Sequence, residues 1–208
     1  AVLRIIIGKQ LPLDLMDCLQ LAQAQYPQSV IAPGSIDQVF EYIIERFRAW
    51  YEDEDIPVEV FKAVSAKGLS QPLDIERRVH AVNAFTQLPE ATALAAANKR
   101  VTNILAKLDS GHEFGDVSAN LLVEPQEKAL WESLVEIEIS NTTLLQERAY
   151  TEALANLAVL RDPLDAFFED VLVNAEDAEL RNNRLNLLKS LGELFMHVAD
   201  ISQLAVSK

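Results

Sequence analysis

Apolar residues recur along most of this chain at three- and four-residue spacing, and no segment alternates Val, Ile or Thr with polar residues between hairpin turns. The pattern predicts an all-α protein, a multi-helix bundle. Residues 3–25 form one or two short helices broken at Leu11-Pro12, because proline lacks a backbone donor and restricts the residue before it. Tyr26-Pro27 and Ala32-Pro33-Gly34 mark a loop. Ser35-Ile36-Asp37-Gln38 has the form of a capping box. Val39, Phe40, Ile43, Ile44, Phe47, Trp50 and Tyr51 then predict one buried stripe, with Arg46 and Arg48 on solvated or salt-bridged surface.

Further along, Pro57, Pro72, Pro89 and Pro125 each stand where a helix is expected to start, and Gly68 where one is expected to stop. Leu94, Val101, Ile104, Leu105 and Leu108 mark the inner side of the helix after Pro89. The longest irregular stretch is 109–124. Leu130, Trp131, Leu134 and Ile137 face inward after Pro125, and Asn141-Thr142-Thr143 is expected to interrupt or turn that helix. Residues 150–160 are helical again, and the chain restarts at Asp162-Pro163 with Asp162 as N-cap. A last helix over about 177–202 buries Leu180, Leu187, Leu188, Leu191, Phe195 and Val198.

At 208 residues there is enough apolar sequence for a substantial core, and no apolar run approaches a membrane span. The chain begins at Ala1, already inside a helical pattern, and is expected to be a piece of a longer protein. A single cysteine, Cys18, excludes an internal disulfide and suits a reducing compartment. A net charge of −14 argues against indiscriminate adhesion to nucleic acid or anionic lipid, but leaves room for a local basic face.

The sequence offers no catalytic constellation. His80, His112 and His197 are far apart and lack metal-ligand spacing, and neither a phosphate-binding glycine loop nor a local Ser or Cys triad motif occurs. No catalytic residue and no metal site are therefore expected. Electrostatics says more. Between Glu76 and Lys107 the bases Arg77, Arg78, Lys99, Arg100 and Lys107 face only two acids, Glu76 and Glu90. Such a cluster is either ordinary helix surface or a face that contacts phosphates, since Lys and Arg supply most nucleic-acid affinity. Arg181 and Arg184 carry the same two alternatives, with Asp177 and Glu179 as nearby carboxylates.

Several blocks together resemble the C-terminal region of bacterial glycyl-tRNA synthetase β subunits. They are Leu11-Pro12-Leu13-Asp14-Leu15, Asn98-Lys99-Arg100-Val101-Thr102-Asn103-Ile104-Leu105, Leu160-Arg161-Asp162-Pro163-Leu164-Asp165-Ala166-Phe167-Phe168, Leu180-Arg181-Asn182-Asn183-Arg184-Leu185, and Val198-Ala199-Asp200-Ile201-Ser202. One departure is Val171-Leu172-Val173-Asn174, where the family usually has a methionine-containing apolar run. The resemblance implies a helical anticodon-binding domain of the type shared with arginyl-tRNA synthetases over 89–208. It also implies a helical lead-in over 31–88 and the tail of a preceding HD-like helical domain over 1–30.

The function implied is the tRNA-binding portion of a glycine–tRNA ligase, supporting ATP-dependent aminoacylation in protein biosynthesis. The active site, with ATP and Mg, would lie in the α subunit, leaving this portion without a cofactor. The partners implied are glycine tRNA and that α subunit in an α2β2 assembly, in the cytoplasm, with no membrane and no DNA. Lys99 and Arg100 are then expected on the tRNA backbone, Arg181 and Arg184 near the anticodon loop, and Asn103 and Asn183 at base edges. Phe167, Phe168, Trp50 and Trp131 are expected in the core. The competing expectation is a subunit-contacting scaffold with little RNA affinity, which the net charge favours.

Overall fold

The computed structural model describes residues 2–27, 29–108 and 111–205, and among these it contains helices and no strand. The chain is all-α. The helices are α1 (Val2–Gly8), α2 (Leu15–Gln23), α3 (Ser35–Asp53), α4 (Val58–Ser65), α5 (Pro72–Phe85), α6 (Ala91–Leu105), α7 (Pro125–Gln146), α8 (Tyr150–Ala155), α9 (Arg161–Asp170) and α10 (Ala178–Met196). Short 3₁₀ turns cover Ala119–Leu121, Asn156–Leu160 and Ile201–Leu204. One apolar core runs from Leu3 through Phe47, Val79, Leu94, Leu130, Leu160 and Leu188 to Ile201. α6 lies against α9, α10 and the last 3₁₀ turn, and α5 against α1, α4 and α8.

The last helix ends at Met196, short of the expected 202, and three other expected boundaries move, each for a local reason. Ser35 is the first residue of α3, not its cap. Gly34 occupies the cap position at φ 78°, where a glycine is favoured, and the Ser35 hydroxyl donates back to the Ala32 carbonyl. Asn141-Thr142-Thr143 does not break α7. The Asn141 amide is buried and satisfied, donating to the Ala153 carbonyl and accepting from Asn156 Nδ2, so it competes for no helical backbone group. α7 ends instead at Gln146, just ahead of Arg148, which takes a left-handed φ of 58° without a glycine to announce it.

Nor does the chain restart at Asp162. Helical backbone is continuous from α8 through the 3₁₀ turn into α9, and Leu160 rather than Asp162 precedes it. Pro163 is tolerated because it falls in the first turn of α9, whose amides need no acceptor within the helix. The apolar stripe of α3 is covered only toward its C-terminal end, at Phe47 and Tyr51, while Val39 remains exposed.

Charged groups tie the packed elements together. Buried Asp74 accepts from Arg78 Nε at 2.8 Å and from the Tyr150 hydroxyl at 2.7 Å. The Arg78 guanidinium also lies over the Tyr150 ring and donates to the His197 and Val198 carbonyls at 2.8 and 2.7 Å. Arg78, one of the five bases in the positive window, is thus spent on joining α5, α8 and the end of α10. Burial, followed by the bond to Asp74, raises the pKa of Tyr150.

Tyr51 is the weak point of the core. Its hydroxyl is buried without a hydrogen-bond partner among the described residues, and burial pushes its pKa well above the ordinary 10.0. Replacing it with phenylalanine removes an unpaired polar atom and keeps the ring, so Tyr51→Phe should raise stability by about 1 kcal/mol in urea denaturation at pH 7. Wild-type stability should fall as the pH rises above 10. There the unfolded chain's phenol gives up its proton while the folded one retains it. The Tyr51→Phe protein should lose less over that range.

Candidate nucleic-acid interface

The interface starts with α6. Among 32 acidic residues in the chain, none falls within the 15 residues of this helix, and its first buried face consists of Ala91, Leu94, Ala95, Asn98 and Val101. Lys99, Arg100, Asn103 and Lys107, the last just beyond the helix, are all exposed. At 3.6 residues per turn these four side chains occupy one solvent-facing arc of the helix axis. An α-helix without carboxylates presents that arc without internal neutralisation.

Grooves flank the arc. On one side Arg100, Ile104, Phe168, Glu169, Asp170 and Leu172 line a groove of about 470 Å³ between α6 and the segment that leaves α9, so two carboxylates stand on the wall facing Arg100. The Arg100 guanidinium stands 4.1 Å from the centre of the Phe168 ring, a cation–π contact that holds both side chains at the groove. Phe167 is fully buried, whereas Phe168 is half-buried and meets Phe167 edge-on at 5.5 Å. Phe168, expected in the core, thus packs against it with one part of its ring exposed. Adjacent helical residues point about 100° apart, so a narrow apolar face cannot swallow both, and that spacing was the available signal. On the other side of the arc, Asn98, Thr102, Lys189, Gly192 and Glu193 line a second groove against α10.

The other three expected contacts are placed differently. Arg184 does not lie on the outer side of α10: it is 5% exposed, and its Nε donates to Glu127 Oε1 at 2.6 Å. Glu127 is fully buried, and its second oxygen accepts from the Glu124 amide at the start of α7. Arg184 Nη1 donates to the Leu172 carbonyl at 2.8 Å, which fixes the wall of the first groove. Arg181 is half-buried and donates to the carbonyls of Ala175 and Glu176. Neither arginine pairs with Asp177 or Glu179; Asp177 instead caps α10 by accepting from the Glu179 and Leu180 amides.

Asn183 is buried and pairs with both backbone groups of Ser118, while Asn186 pairs with the Gly115 amide and the Asp116 carbonyl. One turn apart on α10, the two amides strap the extended segment 115–118 along the helix. Asn183 and Arg184 are thus committed inside the fold and not presented to a ligand. Trp131, expected in the core, is half-buried against it, as is Trp50. Among the described residues no three His, Cys, Asp or Glu side chains could together hold a metal ion, and no helix is long and apolar enough to cross a membrane.

A profile of the DALR anticodon binding domain matches residues 94–202, just over half of the chain, from the first turn of α6 to the last 3₁₀ turn. The chain belongs to this family. Both grooves and the α6 arc therefore lie within its DALR domain. The chain is also 51% identical over 203 residues to the glycine–tRNA ligase β subunit of Pseudomonas aeruginosa (strain UCBPP-PA14), covering 98% of this chain and 30% of that protein. It is 50% identical to the glycine–tRNA ligase β subunit of Chromohalobacter salexigens and 47% identical to that of Actinobacillus pleuropneumoniae, in each case over 29% of the relative. The chain thus spans under a third of the length of the curated relatives it matches.

The buried pair and the exposed arc of the DALR domain should respond to mutation in opposite ways. Arg184→Met leaves Glu127 charged and unpaired inside, and should lower stability by about 3–5 kcal/mol in chemical denaturation. Arg100→Ala removes a surface contact and should change it by less than about 1 kcal/mol. Comparable losses from both would contradict these assignments.

Proposed function

We propose that the chain binds the anticodon region of glycine tRNA through the exposed arc of α6, as part of a glycine–tRNA ligase β subunit. The observation that carries this is the carboxylate-free helix bearing Lys99, Arg100 and Lys107 within a chain of net charge −14. Repulsion from the acidic remainder disfavours RNA elsewhere and leaves this arc as the place to approach. Lys99, Lys107 and Arg100 neutralise phosphates and release counterions. Phe168, held under Arg100, offers its ring to an unpaired loop base, and Asn103 can hydrogen-bond to sugar or base. Arg181, Asn183 and Arg184 act through the fold, by fixing the segments on either side of the arc.

In the assembled ligase, aminoacylation with ATP and Mg would take place on the α subunit of an α2β2 enzyme in the cytoplasm. This chain would contribute tRNA positioning and no catalytic group. The match to an anticodon-binding family, together with α6 cations that form no ion pair among the described residues, weighs against a scaffold without RNA affinity.

Binding of glycine tRNA across a salt series tests the assignment. For Lys99→Ala/Arg100→Ala, affinity should fall at low salt and the slope of log K against log salt should flatten by roughly 2, about one unit per lost phosphate contact. Phe168→Ala should weaken binding with little change in slope. An unchanged affinity and slope in the double variant would remove α6 from the interface.

A further inference from the structure

Exposed apolar side chains are spread unevenly over this chain. Among the described residues twelve large apolar side chains are exposed, and eight of them lie within the first 42 positions of 208. Single exposed apolar residues are ordinary on a protein surface, but such a concentration marks a surface that another body covers. This stretch lies outside the residues matched to the DALR domain, which begin at 94.

α1 and α3 gather part of the set into one groove of about 450 Å³. Val2 and Arg4 stand on the α1 wall, and Tyr42, Arg46, Ala49 and Trp50 on the α3 wall. Val2 is 54% exposed, Tyr42 60%, and Val39, one turn before Tyr42, 43%. The short side chain of exposed Ala49 lets a second helix approach α3 closely. The aromatic rings also hold two cations at the groove. Arg46 Nη2 donates to the Tyr42 hydroxyl at 2.9 Å, with the guanidinium 5.0 Å from the centre of that ring, and the Arg4 guanidinium lies 5.8 Å from the centre of the Trp50 ring. Neither arginine forms an ion pair among the described residues, and Asp53 is the single acid lining the groove.

This chemistry selects the occupant. Val2, Val39 and Ala49 offer a polynucleotide neither a stacking surface nor a hydrogen bond, so two arginines here do not make an RNA face. An apolar groove bearing two guanidinium groups that rings hold without neutralising complements an amphipathic helix that carries carboxylates. The chain covers 30% of the Pseudomonas aeruginosa β subunit it resembles, so most of that polypeptide lies outside the matched region and can supply such a helix. We propose that the α1–α3 groove seats an acidic amphipathic helix from the remainder of the same β-subunit polypeptide. Its apolar side chains pack on Val2, Val39 and Tyr42, and its carboxylates meet Arg4 and Arg46. This rests on the reading of the chain as part of a β subunit, and not on the α6 face.

Hydrogen exchange in the intact β subunit, measured without RNA, tests it. Amides of residues 36–46 should exchange at least about tenfold more slowly there than in the present chain alone. Tyr42→Asp and Arg46→Glu change exposed side chains, so an uncovered α3 would not register them. In the intact subunit each should return those amides to the rate of the chain alone, with α6 and α10 unchanged. Equal exchange in the two proteins, or protection that neither substitution relieves, overturns the proposal. So does protection in the chain alone that grows with its concentration, because a second copy is then the occupant. Glycine tRNA binding by the same intact subunit is read separately: its absence overturns the RNA-binding role and leaves the exchange result standing.

Discussion

The buried Arg184–Glu127 pair is the constraint on which the geometry of the interface depends. Two opposite charges removed from water are tolerated only when their remaining hydrogen-bonding capacity is also met. Here it is met by backbone. Glu127 closes the first turn of α7 through the Glu124 amide, and Arg184 reaches the Leu172 carbonyl. One ion pair therefore locks together the start of α7, the second turn of α10 and the segment that walls the Phe168 groove. Arg181, anchored on the carbonyls of Ala175 and Glu176, extends the same hold to the turn before α10. These arginines hold the frame against which the cations of α6 are exposed.

That division of labour leaves an acidic chain with one exposed arc of cations that form no ion pair among the described residues. Arg78, Arg181 and Arg184 satisfy carbonyls and buried carboxylates inside, and Arg48 is paired with Glu45 and Glu52 on α3. α6 has no acids of its own, so Lys99 and Lys107 keep their charge available, and Arg100 is held by an aromatic ring that does not neutralise it. Screening at physiological salt acts over about 8 Å. Local composition therefore matters more to an approaching phosphate than the net charge of −14.

Much of the architecture was legible in the apolar spacing, because periodicity reports burial directly. Leu130, Leu134 and Ile137 on α7, and Leu187, Leu188, Leu191 and Phe195 on α10, lie where their spacing puts them. Boundaries set by capping were less legible. Gly34 and Arg148 decide two of them through backbone conformation, while Ser35, Asn141 and Asp162 carry residue types that mimic a signal they do not give. The site was half legible. Lys99, Arg100 and Asn103 are exposed, as a charge pattern on a helix can indicate. Whether an arginine faces water or an acid from a distant helix is a tertiary fact: Glu127 lies 57 positions from Arg184. The blocks that carry the family resemblance mix both kinds of residue, Lys99 and Arg100 at the surface with Asn183 and Arg184 inside.

Ultraviolet crosslinking of glycine tRNA to the full chain, with the modified peptides identified by mass spectrometry, would read out the proposed approach of RNA over α6. Crosslinks should concentrate on residues 99–107 and on Phe168. Crosslinks confined to α3, or to the first turns of α10 around Arg181, would contradict it.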